Sequence, residues 1–287
     1  MNVIQALMFT GAAIGGSLLA ALYVLQEKLL YHPTIPTRAY DKKPNDYGMD
    51  YIDVDLVTQD SVRIHAWLVK QERPKQAPTL VYFHGNAGNI AHRLPDVRQH
   101  YQSGFNVLMV SYRGYGSSDG FPTEKGMKMD AAAALEYIRD RNDIVDIERI
   151  YLFGRSIGGA CAIALASMPG TRDAIRGVIV ENTFTSTNDM IDTVLPALRF
   201  AKPFNRNNWN SLDAIKNVHV PIMIIRGLLD ELVPPDHSMK LLAAASKARF
   251  TATHVVENGG HNDTWWQGGS AYRDAITEFL RRIERGD

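Results

Sequence analysis

The chain has 287 residues, a formal net charge of zero, and one cysteine. That length suits a single α/β domain plus an anchor, and 45 % hydrophobic residues can fill a sizeable core. Zero net charge without a long basic run argues against nucleic acid as a partner. Cys161 has no internal disulfide partner and reads as a small apolar residue. The histidines are scattered without cysteine partners, so neither a metal nor another cofactor is expected.

In chain order, the first feature is apolar. No charged side chain occurs from Met1 to Gln26, and Val3 to Leu25 is mostly apolar. About 20 such residues cross a hydrocarbon core of ~30 Å as a helix. Residues 1–30 are therefore expected to be a retained single-pass anchor in the lipid bilayer. The stretch is longer than the core of a cleaved signal, and no basic segment precedes it. Gly11 and Gly15 make a small-residue face that could pair two anchors in a homodimer. Lys28, Arg38, Lys42 and Lys43 follow the span, which favours a cytosolic position for the rest of the chain. The sequon Asn262-Asp263-Thr264 directly follows His261, and a cytosolic position would keep that loop free of a glycan.

Residues 31–48 carry Pro33, Pro36 and Pro44 and read as a semi-stiff linker. Residues 49–287 read as the folded domain. Tyr51–Val57 and Arg63–Val69 alternate as an antiparallel opening pair. Strands and helices then alternate: Thr79–Phe83, a helix from Ile90 to Tyr101, Asn106–Tyr112, a helix from Thr123 to Asp140, and Arg149–Phe153. Such alternation predicts a mostly parallel twisted sheet with helices on both faces. Functional groups then gather at the carboxyl ends of the strands.

The most informative motif is Gly154-Arg155-Ser156-Ile157-Gly158, between a strand and a helix running to Met168. A serine between two glycines at such a junction reads as a nucleophile elbow. Asp230 follows the strand Pro221–Gly227, and His261 follows the strand Thr251–Val256 and a glycine pair. Serine, acid, histidine is the chain order of the α/β-hydrolase triad. A serine hydroxyl needs a base to take its proton, and an imidazole can accept and return it. A carboxylate fixes the imidazole tautomer. The loop His84–Asn89 follows a strand where an oxyanion hole forms, so the main-chain N–H groups of Asn86 and Ile157 are the candidate donors. Glu181, at the end of the strand Gly177–Val180, is an alternative acid. Asp230 could instead cap the helix near Pro235, and His84 reads as loop support.

Arg113 to Gly120 is rich in glycine but lacks the phosphate-loop pattern and reads as a structural turn. Residues 184–220 hold one helix, Asp189 to Phe200, interrupted by Pro196, which is a small cap. Met190, Ile191, Val194, Leu195 and Leu198 either face the site as a lid or pack on the core. A small cap leaves an open cleft, which suits a long acyl chain, or a substrate presented at a membrane surface, better than an enclosed small metabolite.

The runs His84-Gly-Asn-Ala-Gly-Asn89, Ser111-Tyr-Arg-Gly-Tyr-Gly-Ser-Ser-Asp-Gly120, Gly154-Arg-Ser-Ile-Gly-Gly159, Glu181-Asn-Thr-Phe184, Asp230-Glu-Leu-Val-Pro-Pro235 and Gly260-His-Asn-Asp-Thr-Trp265 cover nearly the whole soluble part. On these the chain resembles the bud-emergence (BEM), abhydrolase-domain-containing protein 13-like family of membrane-anchored α/β hydrolases. It is similar, more distantly, to the depalmitoylases of the abhydrolase-domain-containing protein 17 group, but lacks their N-terminal cysteine cluster. The resemblance implies a serine-hydrolase triad of Ser156, Asp230 and His261. The expected activity is hydrolysis of acyl esters or thioesters, on lipids or lipidated proteins. Peptide or amide hydrolysis, or a non-catalytic membrane scaffold, would leave the same motifs.

Overall fold

The computed structural model describes residues 3–286, excluding the side chains at 3, 4, 6–8, 11 and 12. The chain opens with α1 (Val3–Leu30), an apolar helix long enough to cross a membrane. There follow β1 (Tyr51–Val57), β2 (Arg63–Val69), β3 (Thr79–Phe83), α2 (Leu94–Gln102), β4 (Asn106–Val110) and α3 (Glu124–Arg139). The second half has β5 (Ile150–Arg155), α4 (Ile157–Ala166), β6 (Gly177–Glu181), α5 (Thr187–Val194), α6 (Ser211–Ala214) and β7 (Ile222–Gly227). It closes with α7 (Asp236–Ala244), β8 (Thr251–Val256), α8 (Thr264–Gln267) and α9 (Gly269–Arg285).

The eight strands form one sheet in the order β1-β2-β4-β3-β5-β6-β7-β8. The β1–β2 and β2–β4 pairs are antiparallel and the others parallel. Alternate residues of a strand feed opposite faces. Val81 and Phe83 join the core on one side with α3 and α4. Leu80 and Tyr82 join the core on the other with α2 and α9. Both faces are covered, which is why the central strands read as unbroken apolar runs.

Three segments differ from expectation in form. The helix predicted from Ile90 begins as a 3₁₀ turn, Ile90–Arg93, and becomes α-helical from Leu94, with Pro95 in its first turn. Proline suits that position because its missing N–H would be unbonded there anyway. The cap helix starts at Thr187, where the Ser186 hydroxyl accepts from the Asp189 N–H (3.0 Å), and stops at Val194 before Pro196. A 3₁₀ segment, Pro196–Phe204, carries the cap onward.

The stretch 31–48, expected as a spacer, is bound along the domain. Tyr31 is buried, donates to Asn207 Oδ1 (3.0 Å) and accepts from the Trp209 indole (3.0 Å). The Arg38 guanidinium donates to the Gly116 and Ser118 carbonyls (3.1 and 2.8 Å). The Asn89 amide donates to the Thr37 and Ala39 carbonyls, both at 3.0 Å. Helix α1 therefore sits directly on the domain. Gly15 faces open space, and Gly11 lies outside the described side chains.

Candidate active site

Ser156 occupies the turn between β5 and α4 with φ 55° and ψ −122°. A non-glycine residue at positive φ is strained and persists only when its surroundings impose it. Here the two flanking glycines do so. A Cβ on Gly154 would lie 2.1 Å from the Gly158 carbonyl oxygen, and one on Gly158 would lie 2.1 Å from that of Phe83. The Thr183 hydroxyl donates to the Ser156 carbonyl (2.8 Å) and ties the turn to the end of β6.

The three residues predicted to act together are brought together. His261 Nε2 lies 3.0 Å from Ser156 Oγ, and Nδ1 lies 2.8 Å from Asp230 Oδ2. Asp230 Oδ1 accepts from the Leu232 and Val233 N–H groups (2.9 and 2.7 Å), which fixes the carboxylate in its loop. All three side chains are buried. Asp230 precedes α7 by six residues and caps its own loop rather than that helix.

Glu181, the alternative acid, belongs elsewhere. Its carboxylate pairs with the Arg155 guanidinium and accepts from the Tyr272 hydroxyl (2.5 Å). Arg155 also bonds Asp96 (2.8 Å), and Tyr82 donates to the same carboxylate oxygen (2.5 Å). Burial works against the Arg155 charge, but the Asp96 and Glu181 carboxylates outweigh it and push that pKa up. With its carboxylate taken up by Arg155 and Tyr272, Glu181 makes no hydrogen bond to His261 among the described residues.

Asn86 and Ile157 both line the cavity at Ser156. Neither of their main-chain N–H groups donates a hydrogen bond among the described residues. The Asn86 side chain has a second role that the sequence did not reveal. Its amide nitrogen donates to the Leu30 carbonyl at the end of α1, and its oxygen accepts from the His32 N–H (3.3 Å) and the Tyr115 hydroxyl (2.9 Å). One of the helix's unpaired terminal carbonyls is thus satisfied by this loop. Tyr115 comes from the glycine-rich turn, which this bond ties to the loop.

Asn182 was also missed. Its amide nitrogen donates to the Gly260 and His261 carbonyls and to the Thr264 hydroxyl (3.0, 3.2 and 2.9 Å). Its oxygen accepts from the Gly227 N–H (2.9 Å), so one side chain holds the ends of β6 and β7 and the histidine loop in register. The available signal was its place in the Glu181–Phe184 run.

His84 is fully buried, with Nδ1 against the Gly85 carbonyl (2.7 Å) and Nε2 unpartnered. Burial, with Arg93 adding to it, pushes its pKa down to about 3, so the ring is neutral and supports the loop. Burial likewise pushes the Cys161 thiol up and leaves it unreactive.

In front of Ser156 lies a cavity of about 440 Å³, mostly apolar. Met190, Ile191, Val194, Leu195 and Leu198 all line it, so the cap residues face the site. The opposite wall is α1, through Leu19, Leu22, Tyr23, Gln26 and Leu30. The cleft expected to be open is walled on that side by α1.

Comparison with known proteins fits this architecture. Residues 78–207 match the α/β hydrolase fold family model. The chain is 40 % identical to the α/β hydrolase domain-containing protein WAV2 of Arabidopsis thaliana, over 96 % of this chain and 92 % of that one. It is 38 % identical to protein bem46 of Schizosaccharomyces pombe, over 97 % and 93 % of the two chains. The chain belongs to the BEM46 family of α/β hydrolases. Another relative, the uncharacterized membrane protein YNL320W of Saccharomyces cerevisiae, is 35 % identical over 97 % of both chains. Among solved structures, the Pyrococcus furiosus esterase Pf2001 superposes with a TM-score of 0.69 at 21 % identity, covering 84 % of this chain and 94 % of that one. That likeness establishes the shared fold. The membrane name of the yeast BEM46 relative and the apolar α1 together suggest a membrane anchor.

Proposed function

We propose that this BEM46-family chain is a membrane-anchored serine hydrolase that cleaves acyl esters or thioesters. The observation that carries the reading is the unbroken hydrogen-bonded line from Ser156 Oγ through His261 to Asp230. As Oγ attacks the acyl carbonyl carbon, its proton passes to Nε2. The carbonyl oxygen takes the negative charge and lies against the N–H groups of Ile157 and Asn86. Collapse breaks the bond to the leaving oxygen or sulfur, which receives the proton from Nε2. Water then attacks the acyl-enzyme, gives its proton to Nε2, and releases the acid as Oγ is reprotonated. Asp230 keeps the imidazole in the tautomer this sequence requires.

The esterase named among the fold neighbours supports ester chemistry, and the apolar cavity supports acyl groups over peptides. The decisive test is fluorophosphonate labelling of the full-length protein. Wild type labels, Ser156→Ala does not, and ester hydrolysis falls on the order of 10⁴-fold or more. Labelling that persists in Ser156→Ala rules out this nucleophile. The basic residues after the span support a cytosol-facing domain. In a eukaryotic host Asn262 then stays unglycosylated, and a glycan found there would reverse the topology.

A further inference from the structure

The cavity has an unusual wall. Leu19, Leu22, Tyr23, Gln26 and Leu30 recur at the three- and four-residue spacing of one helical face. From Leu19 to Leu30 that face runs about 17 Å at 1.5 Å per residue. It ends at the carbonyl bound by Asn86, in the loop beside Ser156. Across the gap stand the apolar cap residues.

The two walls are fastened at one level. The Arg206 side chain donates to Glu27 (2.9 Å) and to the Tyr23 carbonyl (3.0 Å), and stacks 4.4 Å from the Tyr23 ring centroid. Asn207 donates to the other Glu27 oxygen (3.1 Å), and Gln26 accepts from the Arg206 N–H (2.7 Å).

The depth of the slot follows from the charges. Glu27 is the first charged residue of the chain. About 20 residues span the hydrocarbon, so a span ending at Gln26 occupies residues 7–26. Leu19 and Leu22 are then at hydrocarbon depth, and the Arg206–Glu27 clasp is at its border. The cap beside them exposes Phe200 and Phe204, each 51 % accessible, on an apolar outer surface that water does not favour.

We propose that the cavity is an acyl-chain channel open sideways to the bilayer, with the anchor helix as one wall. Its occupant is the acyl chain of a long-chain ester already embedded in the membrane, which reaches Ser156 without passing through water. This rests on Ser156 as the nucleophile and α1 as the span.

The test uses full-length protein in phosphatidylcholine vesicles, with the palmitate and butyrate esters of 4-methylumbelliferone. Leu22→Trp fills the channel, whereas Val24→Trp sits on the outward face, where Val24 is 69 % accessible. The palmitate-to-butyrate ratio of kcat/KM is expected to fall at least tenfold in Leu22→Trp and to stay within twofold in Val24→Trp. Leu198→Trp, on the opposite wall, repeats the measurement should Leu22→Trp fail to label with fluorophosphonate. Diluting the palmitate ester tenfold with carrier lipid at constant bulk concentration should lower the rate about tenfold. Ratios unchanged in labelled channel variants, or a rate that follows bulk concentration alone, would overturn the channel. Absent labelling of wild type would instead sink the serine-hydrolase reading.

Discussion

Behind Ser156 the protein is polar and closed, and in front of it the protein is apolar and open on one side. The rear is built on Arg155, which reaches from the cavity wall to Asp96 and Glu181, with Tyr82 and Tyr272 donating to the carboxylates, all buried. The front is a slot between α1 and the cap whose polar fastening, Arg206 to Glu27, is half exposed. The difference separates two tasks. Holding a strained serine needs a scaffold with one arrangement, which buried charge pairs supply when every partner is present. Taking up the apolar chain of the proposed substrate would need a surface that gains from burial and imposes little direction.

The comparison breaks most readily at the rear. Arg155→Met leaves two carboxylates buried without their cation. Breaking a buried ion pair in this way costs about 3–5 kcal/mol. Denaturant unfolding in detergent micelles should show that loss. A change below about 1 kcal/mol would mean that the rear network does not hold the elbow.

A second test, at the buried foot of the His84–Asn89 loop, uses pH. Burial, helped by Arg93, pushes the His84 pKa down to about 3, while an unfolded histidine titrates near ~6.5. Between those values the unfolded chain binds more protons, so stability rises with pH and is lost on acidification. The slope from this group is at most about 1.4 kcal/mol per pH unit. His84→Asn is expected to flatten the acid limb of a stability–pH curve by up to that amount. An unaltered limb would show that His84 is protonated in the native state.

These regions also differ in how far the sequence revealed them. The limits of β1, β2, β3 and β8 follow from alternation or from short apolar runs between turn residues, and they match the structure. The elbow was legible because glycine crowding is local. The meeting of Ser156, Asp230 and His261 was legible because chain order on strand ends carries it. The rear network was not, since Asp96 and Arg155 lie 59 residues apart and meet only through the sheet. Glu181 looked like a rival acid for that reason. The packing of 31–48 was hidden as well. Nothing near Tyr31 announces a bond to Asn207, 176 residues away. The five cap residues were found, but not which of two surfaces they faced, because that depends on the opposite wall.

The smallest stability effect is expected at the front, where it sharpens the contrast. Arg206 and Glu27 side chains are 44 % and 23 % accessible. Ion pairs of that kind contribute under about 1 kcal/mol. Arg206→Ala should therefore leave the unfolding midpoint nearly unchanged, although it removes the bonds to Glu27 and to the Tyr23 carbonyl. Its effect should appear in the kinetics: with only Asn207 and the main chain of the cap still bonded to Glu27 and Gln26, α1 is held less tightly against the cap, and KM for the palmitate ester should rise more than for the butyrate ester. The two measurements together separate fastening from folding. A large loss of stability in Arg206→Ala would make the front part of the scaffold. Equal KM changes for both esters would leave the clasp without a part in acyl binding, because a chain too short to reach Leu22 does not depend on where the helix stands.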